Sequence, residues 1–175
     1  MLAVRLIKLI EGHAESLARA VVEDLLTNEH TPSFGRIAKT ELEPRVFKLY
    51  RNLGDWIGDP NADAIRTEYE EWGKIRSHQG VPLSEIVYAL ILTKKHLRQY
   101  IREHGFLIFS GDQVSAGELA PLEIYSVQQL NYVVGDFFDQ ALYYLALGYE
   151  TQPKDPTRMN RGEDSYRALP AQPRN

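Results

Sequence analysis

Apolar residues return along this chain at helical intervals. In the first stretch Leu6, Ile10, Leu17, Val21 and Leu25 recur every four or seven residues, which places them on one face of a helix. Pro32 cannot continue that helix and Gly35 loosens the connection to the next, so the HTPSFG stretch ends it. A short turn or helix is predicted around Phe34 to Ala38. A second stripe, Leu42, Val46, Leu49, Leu53 and Trp56, starts behind Thr40, a predicted N-cap, with Pro44 placed in the first turn. It stops near Gly58. A third, Ile65, Tyr69, Trp72 and Ile75, predicts a helix over residues 62–77, with Glu68, Glu70 and Glu71 on its solvated side.

The stretch RSHQGVPLSEIVYALILTKKHLRQYIREHG, residues 76–105, carries a corner followed by a long amphipathic helix. Gly80 is suited to end one helix in the left-handed region. Pro82 fixes φ before or within the first turn of the next. Gly80 and Pro82 are therefore expected to form a structural corner that reverses the chain. Leu83, Ile86, Leu90, Leu97 and Ile101 give the buried stripe of the following helix, and Lys94, Lys95, Arg98 and Arg102 give it a basic flank.

After Gly105, FLIFSGDQVSAG is apolar and then loop-like. The last predicted helix runs from about Glu118 to Glu150, bent near Pro121. Its band of Val127, Leu130, Val134, Phe137, Phe138, Ala141, Leu142 and Leu145 is widened by Tyr125, Tyr132, Tyr143 and Tyr144. A helix this apolar is central in its domain or shared with a second subunit. Phe137, Phe138 and Tyr144 are the candidate packing and dimer anchors. The remainder, TQPKDPTRMNRGEDSYRALPAQPRN, holds four of the nine prolines. Residues 1–150 are thus expected to form one helical domain and residues 151–175 an extended Pro-containing tail. The fold class is all-α: an antiparallel helical bundle or globin-like packing of about five main helices with a long C-terminal helix.

Composition narrows the function classes. The chain has 175 residues and a formal charge of −4, so bulk attraction to nucleic acid or an anionic membrane is not expected. It contains no cysteine, which removes disulfides, thiolate nucleophiles, iron–sulfur clusters and cysteine zinc sites. Arg5, Lys8, Glu11 and His13 interrupt the apolar start, so it does not read as a signal peptide. A soluble cytoplasmic protein without a membrane span is expected.

Candidate chemistry is sparse. His13 falls close to the apolar face of the first helix, where a histidine can ligate haem but more often holds a hydrogen bond at the edge of a core. His96 and His104 lie two turns apart, without the one-turn pitch of a bidentate helical metal site. There is no G-x-S-x-G, H-E-x-x-H, P-loop or G-x-G-x-x-G pattern. Ser110, Ser115 and Ser126 have no evident base beside them. No catalytic, metal or cofactor residue is assigned, and a small enzyme with an unrecognised site is the reading left over.

Three stretches together resemble a known family. They are WGKIRSHQ with GVPLSEIVYALILTKKHLRQYIREHG, FFDQALYYLALGYE over residues 137–150, and IAKTELEPRVFKLYRNLGDWIG over residues 37–58. They are similar to the RsbRD-type N-terminal domain of the RsbT co-antagonist proteins, over about residues 10–150. The resemblance implies an all-helical, non-enzymatic sensory or regulatory domain, cytoplasmic and often dimeric, related to globin-like domains without haem. It implies a homodimer and a protein partner in a signalling pathway, a kinase or a STAS-type regulator, and no nucleic acid. Such domains usually precede a STAS or histidine-kinase module, which has no counterpart in these 175 residues. A stand-alone protein and a piece of a larger architecture both stay open. The alternative function is a haem- or small-ligand-binding globin-like sensor, with its pocket beneath the aromatic band.

Overall fold

Every regular element among the described residues is helical. The computed structural model describes residues 2–58, 62–104 and 120–151. The FLIFSGDQVSAG stretch and nearly all of the expected tail lie outside them. Among the described residues seven α-helices occur in chain order: α1 Leu2–Gly12, α2 Ala14–Thr27, α3 Lys39–Arg51, α4 Leu53–Gly58, α5 Ala62–His78, α6 Leu83–His104 and α7 Ala120–Glu150. A short 3₁₀ helix, Pro32–Arg36, joins α2 to α3.

The first predicted helix is two. It breaks at His13, which has φ −108° and ψ 13°. Gly12 precedes the break and is a poor helix former. The freed backbone groups find partners locally: the His13 ring Nδ1 pairs with the Leu9 carbonyl at 2.9 Å, and the Ser16 hydroxyl donates to the His13 carbonyl at 2.9 Å. The apolar stripe carries across the break, because Leu6, Ile10, Leu17, Val21 and Leu25 are all buried.

The second stripe is also divided, at Asn52, into α3 and α4. A side chain from another helix organises this junction. Glu11 of α1 accepts the Gly54 N–H through Oε1 at 3.0 Å, and so caps the start of α4. Helix α3 does not begin behind Thr40. Ala38 occupies the N-cap position, and its carbonyl accepts the N–H groups of Glu41 and Leu42. The earlier start leaves Pro44 inside the helix, past the first turn. Pro44 lies on the exposed side.

The corner between α5 and α6 closes as a Schellman turn. Gly80 has φ 71°, the one positive φ among the described residues. Its N–H donates to the Ser77 carbonyl, and the Val81 N–H donates to the Arg76 carbonyl, the two bonds that define this C-cap. Val81 is buried. The Pro82 carbonyl then accepts from Glu85 and Ile86 and opens α6. The Tyr149 hydroxyl of α7 donates to the Val81 carbonyl at 3.0 Å, so the last helix pins the corner from above.

Helices α5 and α7 form the most extensive contact in the fold. Tyr69 meets Phe137 at one end, and Val81 meets Tyr149 at the other, so the two helices advance side by side in the same direction. Helix α6 runs back against α7: Lys94 reaches Gly135 and Asp139, while Arg102 shares a groove with Val127 and Gln128. Helix α2 packs on α3 and α6, and α1 on α4 and α7. One apolar cluster links all of them, with Tyr50 and Tyr69 among its largest fully buried side chains. The Tyr50 hydroxyl is satisfied by the Thr93 carbonyl at 2.9 Å, as a buried phenol requires. The result is an all-α bundle. No helix among the described residues is long and apolar enough to cross a membrane.

Candidate functional site

Two places on this framework are built differently from the rest: a buried charged corner over an apolar cavity, and the exposed face shared by α6 and α7.

The charged corner centres on Arg76. Its position, seven residues after Tyr69 and four after Trp72, puts a cation in phase with the apolar face of α5. It is only 6% exposed. A buried charge needs compensation, and Arg76 receives it from the Glu41 carboxylate at 2.7 Å and the Gln79 side-chain carbonyl. The Gln79 amide also donates to Glu41. Arg76 lies over the Phe34 ring at 5.8 Å, and Arg45 lies over the Trp72 ring at 5.2 Å. Burial lowers the affinity of Arg76 for its proton; Glu41 opposes this and the Arg45 charge adds to it. Burial would raise the Glu41 pKa, but hydrogen bonds from Arg76 and Gln79 and the charges of Arg76 and Arg45 outweigh it. They hold that carboxyl below its usual range.

Beneath this corner is a cavity of about 50 Å³. Leu25, Leu42, Val46, Ile86, Leu90 and Leu145 make most of its wall; Thr93 and the two arginines are its polar members. The Thr93 hydroxyl is committed to the Ala89 carbonyl at 2.8 Å.

A buried acid works nearby. Glu85, 8% exposed, accepts the Ser33 N–H and the Ser33 hydroxyl, each at 2.8 Å. It ties the start of α6 to the 3₁₀ helix. The side chain sits among apolar neighbours in the first turn of α6, and its partner lies 52 residues away, so spacing along the chain gives no sign of the pairing.

The exposed face of α7 carries Tyr125, Tyr132 and Tyr143, with Tyr132 74% exposed. Their separations of seven and eleven residues return to the same side of a helix. Asp136 and Asp139 fall in the same stripe. Beside it, α6 and α7 diverge around an open groove lined by Ile91, Lys95, Arg98, Arg102, Val127 and Tyr132. Lys94 is held by Asp139 at 3.0 Å. Lys95, Arg98 and Arg102 make no ion pair among the described residues.

The structure separates the three residues expected to anchor packing or a dimer. Phe137 and Phe138 are 3% and 2% exposed and belong to the core. They meet edge to face at 5.2 Å, and Phe137 also contacts Tyr69 and Trp56. Tyr144 is half-buried against the core, with its ring on Tyr143. The surface tyrosines are 125, 132 and 143. Gly80 and Pro82 stand at the corner described above.

The histidines are spread through the fold. His13 is exposed at the break between α1 and α2, with its ring 5.8 Å from that of Tyr100 in the core and its Nδ1 on the Leu9 carbonyl. His96 pairs with Asp24 at 2.9 Å and joins α6 to α2. The Asp24 carboxyl is held below its usual range, first by the Asn28 side-chain hydrogen bond and against burial, then by His96 and Lys95. His104 stacks on Tyr100 at 4.1 Å. The carboxylates of α5 are also divided: Glu68 bonds Lys48 and Trp72, Glu70 bonds Arg66, and Glu71 faces Lys74. Among the described residues no three histidines or carboxylates converge as a metal site would require.

A family model described as the RsbT co-antagonist protein rsbRD N-terminal domain matches residues 15–133. Neither a curated protein nor a solved structure matches the chain. The match spans most of α2, all of α3 to α6 and the first half of α7, and so includes both the Arg76 corner and the α6–α7 groove. The chain belongs to the RsbT co-antagonist rsbRD N-terminal domain family.

Proposed function

We propose that this chain is a non-enzymatic, cytoplasmic signalling domain of the sensor type. It works as a homodimer and passes a change in helix packing to a protein partner, a kinase or a STAS-type regulator. Family membership supports the signalling role. The observation that carries the dimer is the tyrosine stripe of α7. Three large aromatic side chains on one side of a long helix form an apolar surface with polar edges, the composition of an interface core.

The stripe is self-complementary. Two α7 helices laid antiparallel about Val134 and Gly135 bring Tyr125 of one copy to Tyr143 of the other. The same two-fold directs Asp136 and Asp139 toward the Lys95, Arg98 and Arg102 strip of the second copy, where opposite charges favour this register over its alternatives. A signal then acts by binding one helix arrangement better than another, and shifts the balance only by that difference in affinity.

Light scattering on the purified chain tests the reading. A dimer is expected, with Tyr132→Glu combined with Tyr143→Glu giving a folded monomer. A strict monomer at high protein concentration overturns the seam.

A further inference from the structure

The cavity beneath Arg76 and Arg45 has a chemical character of its own. Its walls are apolar, yet two guanidinium groups stand at one side. The carboxylate at the corner, Glu41, is already committed: it accepts from Arg76 through Oε1 and from the Gln79 amide. Arg45 makes no ion pair among the described residues, and its guanidinium rests on the face of Trp72. The corner therefore carries one positive charge more than its own carboxylate balances. Such an excess beside an apolar chamber favours a single negative charge with an apolar body attached. A guanidinium fork suits a carboxylate in particular, because its parallel N–H groups match the two oxygens.

Size narrows the ligand further. Water needs roughly 10–15 Å³ of this kind of volume, so the chamber accepts an apolar group of about three to five heavy atoms. We infer that the cavity between α2, α3, α5, α6 and α7 is a binding site for a short-chain monocarboxylate. Its carboxylate lies against Arg45 and Arg76, and its alkyl chain lies among Leu42, Val46, Ile86 and Leu90. A dicarboxylate places a second charge in the apolar chamber and is rejected. An alcohol of equal length forgoes the guanidinium contact.

The inference names the signal for the sensor reading above and rests on that reading for its consequence. The chamber is lined from five α-helices and the 3₁₀ helix, including the parallel pair α5 and α7. A ligand seated there bears on the packing that α7 would present to a second copy.

Titration of the ¹⁵N-labelled chain tests the site, with sodium butyrate as the probe and butan-1-ol and succinate as controls. Butyrate is expected to give saturable shifts at the Trp72 indole, Ala89 and Thr93, and to bind about tenfold more tightly than the alcohol or the dicarboxylate. Arg45→Gln lies on a half-exposed side chain and preserves the fold; it should weaken butyrate about tenfold and leave butan-1-ol unchanged. Ala89→Leu should fill the chamber and abolish binding of both. Three results overturn the proposal: no saturable shift with butyrate, equal affinity for the alcohol, or an Arg45→Gln variant that binds butyrate as the parent does. Light scattering on the same samples keeps the two readings apart. A dimer that ignores butyrate rejects the ligand alone, and a monomer that binds it rejects the seam alone.

Discussion

Gly73 on α5 and Gly148 on α7 meet so closely that neither position has room for a β-carbon. A β-carbon at Gly73 would stand 2.1 Å from the Leu145 carbonyl oxygen, and one at Gly148 would stand 2.0 Å from that of Glu70. The obstacles are backbone atoms of the opposite helix, which cannot swing aside as a side chain can. The two helices must separate to admit a methyl group, and the largest packing contact in the fold separates with them. Gly73→Ala and Gly148→Ala are each expected to cost at least about 3 kcal/mol in urea unfolding. Gly135→Ala provides the control on the same helix. Its nearest neighbour is the Lys94 ammonium at 4.0 Å, so it should be neutral, or stabilising by up to about 1 kcal/mol through helix propensity.

The Gly80 turn is under a different constraint, since the backbone itself is left-handed there. Gly80→Val is expected to lower stability by roughly 1–2 kcal/mol, with a matching fall in thermal midpoint. Tyr149→Phe removes the hydroxyl that bonds the Val81 carbonyl and should cost about 1 kcal/mol. An unchanged midpoint in both variants would mean that the corner contributes nothing to the angle between α5 and α6.

These positions show where pattern along the chain stops being informative. The stripes of α2, α3 and α6 are legible because burial of a helix face imposes its own period: Leu17, Val21 and Leu25, or Ile86, Leu90, Leu97 and Ile101, are buried at the expected spacing. The breaks at His13 and Asn52 are not, because apolar residues continue in phase on both sides. The first junction is held by the His13 ring on the Leu9 carbonyl, and the second by Glu11, brought in from α1 to cap the start of α4. Gly73 and Gly148 read as weak points in isolated helices; only the close approach of α5 to α7 gives them a purpose. On α7, Phe137 and Phe138 and the three exposed tyrosines look equally apolar in sequence. Which of them face inward depends on where α1, α4 and α5 dock. The Arg76 corner leaves one trace, a cation in phase with a buried face, whereas its partner Glu41 lies 35 residues away.

Acid should loosen the fold through two carboxylates. Glu41 and Asp24 both have folded pKa values below their unfolded values of about 4.5 and 3.8. Each therefore adds stability that is present above the unfolded value and is lost as pH falls through the folded one. Unfolding free energy from urea titrations is expected to decline as pH drops from about 5 toward 3. Glu41→Gln should be less stable than the parent at neutral pH, since it leaves buried Arg76 without its carboxylate. The gap between the two should narrow as the pH approaches the folded value of Glu41. A gap that stays constant with pH would show that the Glu41 charge does not stabilise the corner.

The link between Glu85 and Ser33 allows the contribution of a single carboxylate to be divided. One oxygen takes the Ser33 backbone N–H and the other takes its hydroxyl. Ser33→Ala deletes only the hydroxyl bond and is expected to cost about 1 kcal/mol. Glu85→Gln can keep both contacts, its carbonyl oxygen accepting the Ser33 N–H and its amide donating to the Ser33 hydroxyl oxygen, so it loses only the charge on the acceptor and should cost about 1 kcal/mol or less. Glu85→Ala removes both bonds to a charged acceptor and leaves the Ser33 N–H without its partner near the start of the 3₁₀ helix, at roughly 2–3 kcal/mol. Because Ser33 and Glu85 touch, the double variant Ser33→Ala with Glu85→Ala should cost less than the sum of the two single ones. Strict additivity in that cycle would show that Glu85 stabilises the start of α6 without acting through Ser33, and the tie between α6 and the 3₁₀ helix would lose its physical basis.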